Sequence, residues 1–209
     1  MTTLSQILEH KIVAILRGMP SSEMIPIANA LYKGGIRIME VTLNSENALA
    51  AIEQLSNEME NRMLIGAGTV LDSNDARNAI AAGAKFIISP SLDATVIKTT
   101  KDAGLVSIPG AFTPTEIVAA HNFGADIIKI FPCLNAAYIK NILAPLNHIK
   151  LIPTGGIHAG NIQEYAASGA VAFGIGSALV YNDTVNEHYL QQLTVKAAAL
   201  TEALKKAIA

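Results

Sequence analysis

Short apolar runs alternate with longer helical stretches along nearly the whole chain, and this beat leaves few folds open. The apolar runs fall at 11–16, 36–43, 63–68, 85–89, 105–108, 126–131, 149–153 and 171–175. Between them, stretches such as 45–59, 73–82 and 115–123 are rich in Ala, Leu, Glu and Asn and carry helical periodicity. Five of the runs are preceded by a glycine (Gly35, Gly83, Gly104, Gly124, Gly169), placed to end a helix in the left-handed conformation before the chain enters a strand. Strands alternating with helices imply a parallel sheet with right-handed crossovers. Eight such units in 209 residues predict an α/β protein, a single-domain (β/α)8 TIM barrel spanning 1–209, with 184–209 as its last helix. The competing arrangement is an open doubly wound sheet. Against it, the first strand ends in Leu16-Arg17-Gly18-Met19, without the G-x-G-x-x-G fingerprint of dinucleotide-binding sheets.

Composition narrows the function. Hydrophobic residues make up 51% and charged residues 15%, a balance that suits a parallel sheet covered on both faces or a subunit that buries surface in an oligomer. A net charge of −2 with no Lys/Arg-rich run gives nucleic acid no footprint. The single cysteine, Cys133, rules out an intramolecular disulfide and fits a reducing compartment. The first residues lack a basic segment followed by an apolar one, and no apolar run reaches the roughly 18 residues of a membrane span. A cytoplasmic soluble protein is the expectation.

One strand carries an unexpected charge. In Asp126-Ile127-Ile128-Lys129-Ile130-Phe131, Lys129 shares its face with Ile127 and Phe131, while Ile128 and Ile130 occupy the other. A strand apolar on both faces is covered on both, and a desolvated ammonium gives up its proton more readily, as Schiff-base chemistry requires. The alternative is a lysine that snorkels out past the strand end. Glu40 lies in a comparable setting, sharing a face with Ile36, Ile38 and Thr42. It is either the buried partner of Arg17 or Lys129, or a general acid/base of raised pKa.

Barrel active sites lie at the C-terminal ends of the strands. Arg17, Glu40, Thr69, Lys129, the Gly155-Gly156 pair and Gly176-Ser177 all fall in or just after strands, so they converge on one rim. Loops after strands 7 and 8 commonly hold phosphate, and glycines there let backbone N–H groups approach an anion, with Ser177 expected as helix N-cap and hydroxyl donor. The histidines show no H-x-x-x-H or H-x-H spacing, so no metal site is expected. Cys133 reads as a small buried filler, and Asp126 as structural.

With these residues in view, the chain resembles the 2-keto-3-deoxy-6-phosphogluconate and 4-hydroxy-2-oxoglutarate aldolases, which are class I, Schiff-base enzymes. The likeness runs from Lys11 to about Val180. It rests on Ile12-Val13-Ala14-Ile15-Leu16-Arg17, Glu40-Val41-Thr42-Leu43, Ile65-Gly66-Ala67-Gly68-Thr69-Val70, Ile88-Ser89-Pro90, Ile108-Pro109-Gly110, Thr113-Pro114-Thr115-Glu116, Lys129-Ile130-Phe131-Pro132, Pro153-Thr154-Gly155-Gly156-Ile157 and Gly176-Ser177-Ala178-Leu179. The resemblance implies Lys129 as the Schiff-base lysine and Glu40 as the general acid/base. It further implies Thr69 and an arginine on the substrate carboxylate, Pro90 and Phe131 lining the pocket, and Gly155, Gly156 and Ser177 on the phosphate. The implied substrate is a phosphorylated 2-keto acid cleaved to pyruvate, in sugar-acid catabolism of the Entner–Doudoroff type. A homotrimer with no metal or organic cofactor is also implied. One position departs: gluconate-type members often carry an arginine four residues after the glutamate, where this chain has Asn44. Leu43-Asn44-Ser45 looks like the phosphogalactonate relatives and Thr154-Gly155-Gly156 like the gluconate type, and Arg17, whose fork suits bidentate contact, is expected to take over the carboxylate. Two rivals from other classes share the phosphate loops: a barrel isomerase or epimerase, and a non-catalytic sugar-phosphate-binding barrel. Neither has a use for Lys129.

Overall fold

The computed structural model describes residues 1–208. Its strands are β1 (Ile12–Leu16), β2 (Ile38–Thr42), β3 (Leu64–Gly68), β4 (Phe86–Ile88), β5 (Val106–Ile108), β6 (Gly110–Ala111), β7 (Ile128–Ile130), β8 (Leu151–Pro153) and β9 (Phe173–Ile175). Its helices are α1 (Thr3–His10), α2 (Met24–Lys33), α3 (Ala48–Glu58), α4 (Ser73–Ala81), α5 (Ala94–Asp102), α6 (Pro114–Asn122), α7 (Ala136–Leu143), α8 (Ile162–Ala167) and α9 (Glu187–Ile208). None of them is long and apolar enough to cross a membrane.

All strand pairs are parallel and form two arcs, β5-β4-β3-β2-β1-β9 and β6-β7-β8. The arcs join at both ends. Thr154 bridges Gly174 and Val171 N donates to Leu151 O, while at the other seam Asp126 N donates to Ser107 O and Lys129 N to Pro109 O. The sheet therefore closes into the expected barrel. Its fifth stave comes in two pieces, β5 and β6, because Pro109 has no N–H to continue the ladder.

Strand parity sorts the core into two shells. Val13, Ile38, Leu64, Phe86, Ile127 and Ile152 point into the barrel and pack together. Ala14, Met39, Ile65, Ile87, Ile128 and Leu151 point outward beneath the helices. Helix α1, which precedes the first expected strand, belongs to the inner shell: Ile7 is fully buried there, with Leu4 and Leu8 against it. The five glycines expected to end helices all have positive φ, between +73° and +98°.

Candidate active site

Glu40 stands on the inner face of β2, in register with Ile15 of β1 and Gly66 of β3. Space for its carboxylate comes from Gly68, where a Cβ would lie 2.7 Å from Glu40 Cδ. From β7, Lys129 brings Nζ to 3.8 Å from Glu40 Oε1, with the two side chains 4% and 0% exposed. That separation is an ion-pair distance, too long for a direct hydrogen bond. Neither carboxylate oxygen has a hydrogen-bond partner among the described residues. Burial pushes the Glu40 carboxyl above its ordinary value of 4.5; the charges of Lys129 and Arg17 oppose the shift but do not cancel it. A carboxyl whose grip on a proton is tightened by burial, set beside an amine, is suited to moving protons. The Phe131 ring closes one side, its centroid 5.2 Å from Lys129 Nζ.

Above this pair, at the C-terminal ends of β1, β7, β8 and β9, opens a cavity of about 450 Å³ lined by Arg17, Phe131, Thr154, Gly155, Gly156 and Ser177, among others. Gly155 and Gly156 have φ of +110° and +69°, a conformation glycine adopts without steric cost. Asn161 holds this loop from behind, donating from Nδ2 to Gly156 O at 2.9 Å and accepting from His158 N at 2.8 Å. A larger cavity of about 750 Å³ opens at the opposite end of β2 and β3, beside Tyr32, Arg37, Glu53 and Arg62. It lies at the wrong end for barrel chemistry, and Arg37 is already committed to the Tyr32 and Ile36 carbonyls.

Of the residues singled out in the sequence, the structure brings Lys129, Glu40 and Phe131 together and lines one cavity with Arg17, Phe131, Gly155, Gly156 and Ser177. Thr69 and Pro90 lie on the same rim, after β3 and β4, outside that cavity lining. Thr69 directly follows Gly68 and has φ +56°, a strained conformation for a β-branched residue and one that tends to mark functional positions. Ser177 is not the N-cap that was expected. Leu179 N and Val180 N both donate to Gly176 O, so the glycine opens a single turn and the serine lies inside it. The physical reason is that the turn ends before a helix propagates, which leaves Ser177 exposed and its hydroxyl without a hydrogen-bond partner among the described residues. Asp126 is structural as read: its carboxylate accepts from Lys101 Nζ at 2.7 Å and from Ser107 N at 2.8 Å, at the β5–β7 seam. Cys133 is half-buried rather than buried, and desolvation raises its thiol pKa. Among the described residues, no three His, Cys, Asp or Glu side chains gather as a metal-ligand group.

Two features escaped the reading of single residues. Thr154, two residues after Ile152 on the inner face, has a buried hydroxyl with no hydrogen-bond partner among the described residues, turned toward Gly174. Gly68 makes the room that Glu40 occupies. Glycines at alternate positions on one strand, Gly66 and Gly68, were the signal available for the second.

A family profile described as "KDPG and KHG aldolase" matches residues 4–195. The chain belongs to the KDPG and KHG aldolase family. It is 35% identical over 198 residues to a 2-dehydro-3-deoxy-phosphogluconate aldolase of Treponema pallidum, covering 93% of this chain and 94% of that one. It is also 35% identical over 175 residues to a probable 2-dehydro-3-deoxy-6-phosphogalactonate aldolase of Rhizobium meliloti, covering 82% of each. Among solved structures, a KDPG aldolase from Legionella pneumophila with pyruvate captured as a covalent carbinolamine superimposes with a TM-score of 0.85 at 29% identity, covering 95% of this chain and 98% of that one. Family membership makes this chain a carbon–carbon lyase of the Schiff-base type built on a TIM barrel.

Proposed function

We propose that this chain cleaves 2-keto-3-deoxy-6-phosphogluconate to pyruvate and glyceraldehyde 3-phosphate, with Lys129 as the Schiff-base lysine and Glu40 as the proton carrier. The observation that carries the reading is the buried Lys129–Glu40 pair at 3.8 Å, whose carboxylate has no other partner among the described residues. A structural ion pair of that burial would be expected to satisfy its remaining oxygens, because unpaired buried acceptors are costly.

In this reading the Lys129 amine attacks the C2 ketone, and loss of water leaves an iminium that serves as electron sink. Glu40, directly or through one water in the gap beside Lys129, takes the proton of the C4 hydroxyl. The C3–C4 bond breaks, its electrons flow into the iminium to give an enamine, and C4 departs as the aldehyde. Glu40 returns its proton to C3, and water hydrolyses the iminium to free pyruvate and the amine. Thr69 and Arg17 hold the C1 carboxylate, Pro90 and Phe131 line the pocket, and Gly155, Gly156 and Ser177 take the phosphate. Support for the last assignment comes from the glycine backbone and free serine hydroxyl on the cavity wall. The unpartnered Thr154 hydroxyl offers a hydrogen bond to a substrate hydroxyl near the scissile bond. The whole chain serves as one aldolase domain, working in the cytoplasm as a homotrimer.

A second reading, the same cleavage of the phosphogalactonate epimer, is favoured by Asn44 and by the likeness to the Rhizobium meliloti protein. Borohydride reduction with pyruvate, followed by peptide mass spectrometry, tests the chemistry common to both. A reduced pyruvyl adduct on Lys129 is expected. Folded protein that carries no adduct, or carries it on another lysine, would remove the mechanism. A panel of the two six-carbon substrates and 4-hydroxy-2-oxoglutarate then separates the readings by kcat/KM.

A further inference from the structure

Arg17 directly follows β1, is exposed on the cavity wall, and makes no ion pair or side-chain hydrogen bond among the described residues. Long side chains in that state wander, at a rotamer-entropy cost that a ligand must then overcome. The backbone on either side of Arg17, by contrast, is tied down. Gly18 N donates to Ser45 Oγ at 2.9 Å, and Thr42 Oγ1 donates to Leu16 O at 3.3 Å. The two hydroxyls lie 3.1 Å apart.

Proton counting gives this relay one direction. Leu16 O can only accept, so the Thr42 proton goes there. The Ser45 proton must then go to Thr42 Oγ1, which leaves Ser45 Oγ to accept from Gly18 N. Both hydroxyls donate once and accept once, and such aligned chains strengthen one another. The relay is sheltered: Thr42 is 0% and Ser45 8% exposed. Ser45 N also donates to Thr42 O at 2.9 Å, so the turn that follows β2 presents both side chains to β1. Gly18 adopts φ +67°, which lets its N–H face Ser45.

We infer that Thr42 and Ser45 are positioning residues that clasp the peptide groups on both sides of Arg17 and so aim its guanidinium at the substrate carboxylate. The inference rests on the Schiff-base reading above and extends it to how this chain binds the keto acid without an arginine at position 44. Thr42 belongs to the same strand as Glu40 and Ser45 to the turn that follows it, so β2 and its turn set both the proton carrier and, through the end of β1, the anion-binding group. Arg17 is near enough for its charge to act on the Glu40 carboxyl.

The test measures the pyruvate concentration that gives half-maximal borohydride trapping on Lys129, together with KM and kcat for the six-carbon substrate. Arg17→Ala should raise the half-saturating pyruvate by about 30-fold, as for a lost charged hydrogen bond, and Ser45→Ala by about 5-fold, as for a neutral one. Ser45→Ala in the Arg17→Ala background should add nothing, and Ser45→Thr should restore wild-type behaviour by returning the hydroxyl. The loss should appear in KM more than in kcat. Unchanged half-saturation in Ser45→Ala, or an equal rise with and without Arg17, would overturn the inference. Thr42→Val breaks the same relay from its other end and carries the test if Ser45→Ala does not fold. Absence of trapping in the wild type would instead overturn the Schiff-base reading itself, an outcome distinct from trapping that ignores Ser45.

Discussion

Replacing Gly68 by alanine isolates the placement of Glu40 from its chemistry. Gly68 lies in β3 outside the left-handed region, so its backbone accepts alanine without strain. The added methyl carbon would stand 2.7 Å from Glu40 Cδ and 2.8 Å from Oε1. Carbon atoms in contact stay about 3.5–4.0 Å apart, so the carboxyl must retreat by roughly 1 Å. That retreat is comparable to the displacement that can cost about 100-fold in rate when a reacting group is misplaced. Overpacking at a fully buried site should cost about 1–3 kcal/mol of stability, so the variant remains foldable. The assay is kcat for cleavage of the six-carbon substrate, coupled to pyruvate detection, alongside borohydride trapping and thermal unfolding. Expected are a folded protein with a lower Tm, a retained adduct on Lys129, and kcat down about 100-fold. Activity within about threefold of wild type in a folded Gly68→Ala protein would refute the argument that the glycine exists to seat the carboxylate.

Two other outcomes follow from the site. Because burial raises the Glu40 pKa, the folded state holds that proton more tightly than the unfolded chain, so the group favours folding most at low pH and loses that contribution as pH rises through the raised value. Glu40→Gln should therefore be more stable than wild type near neutral pH, with the gap closing below about pH 4.5, and slower in turnover; unfolding curves across pH that run parallel for the two proteins would contradict this. Ser177→Ala should raise KM for phosphorylated substrates by about tenfold while barely changing that for 4-hydroxy-2-oxoglutarate, since only the former present a phosphate; equal loss on both would take Ser177 out of the phosphate site.

Much of this molecule is local and therefore legible in one dimension. Strand parity is a property of consecutive residues, so the inward faces of Lys129 and Glu40 follow from their neighbours alone. The left-handed glycines that end the helices are equally local, because only the absence of a Cβ matters there. Sequence could not pair Lys129 with Glu40 rather than with solvent, since that contact exists only once the fifth stave, β5 and β6, closes onto β7. Nor could it see that Pro109 breaks that stave, that α1 drives Ile7 into the barrel floor, or that the turn after β9 starts one residue ahead of Ser177. The Thr42–Ser45 clasp was hidden for the same reason: its hydroxyls meet the peptides on either side of Arg17 only after two parallel strands come into register. Sequence alone determined which residues face inward, because alternation along a strand is set by covalent geometry. Tertiary structure alone decided which of them touch, because those distances come from closing the barrel, where a glycine on one strand becomes the space that a carboxylate on the next one fills.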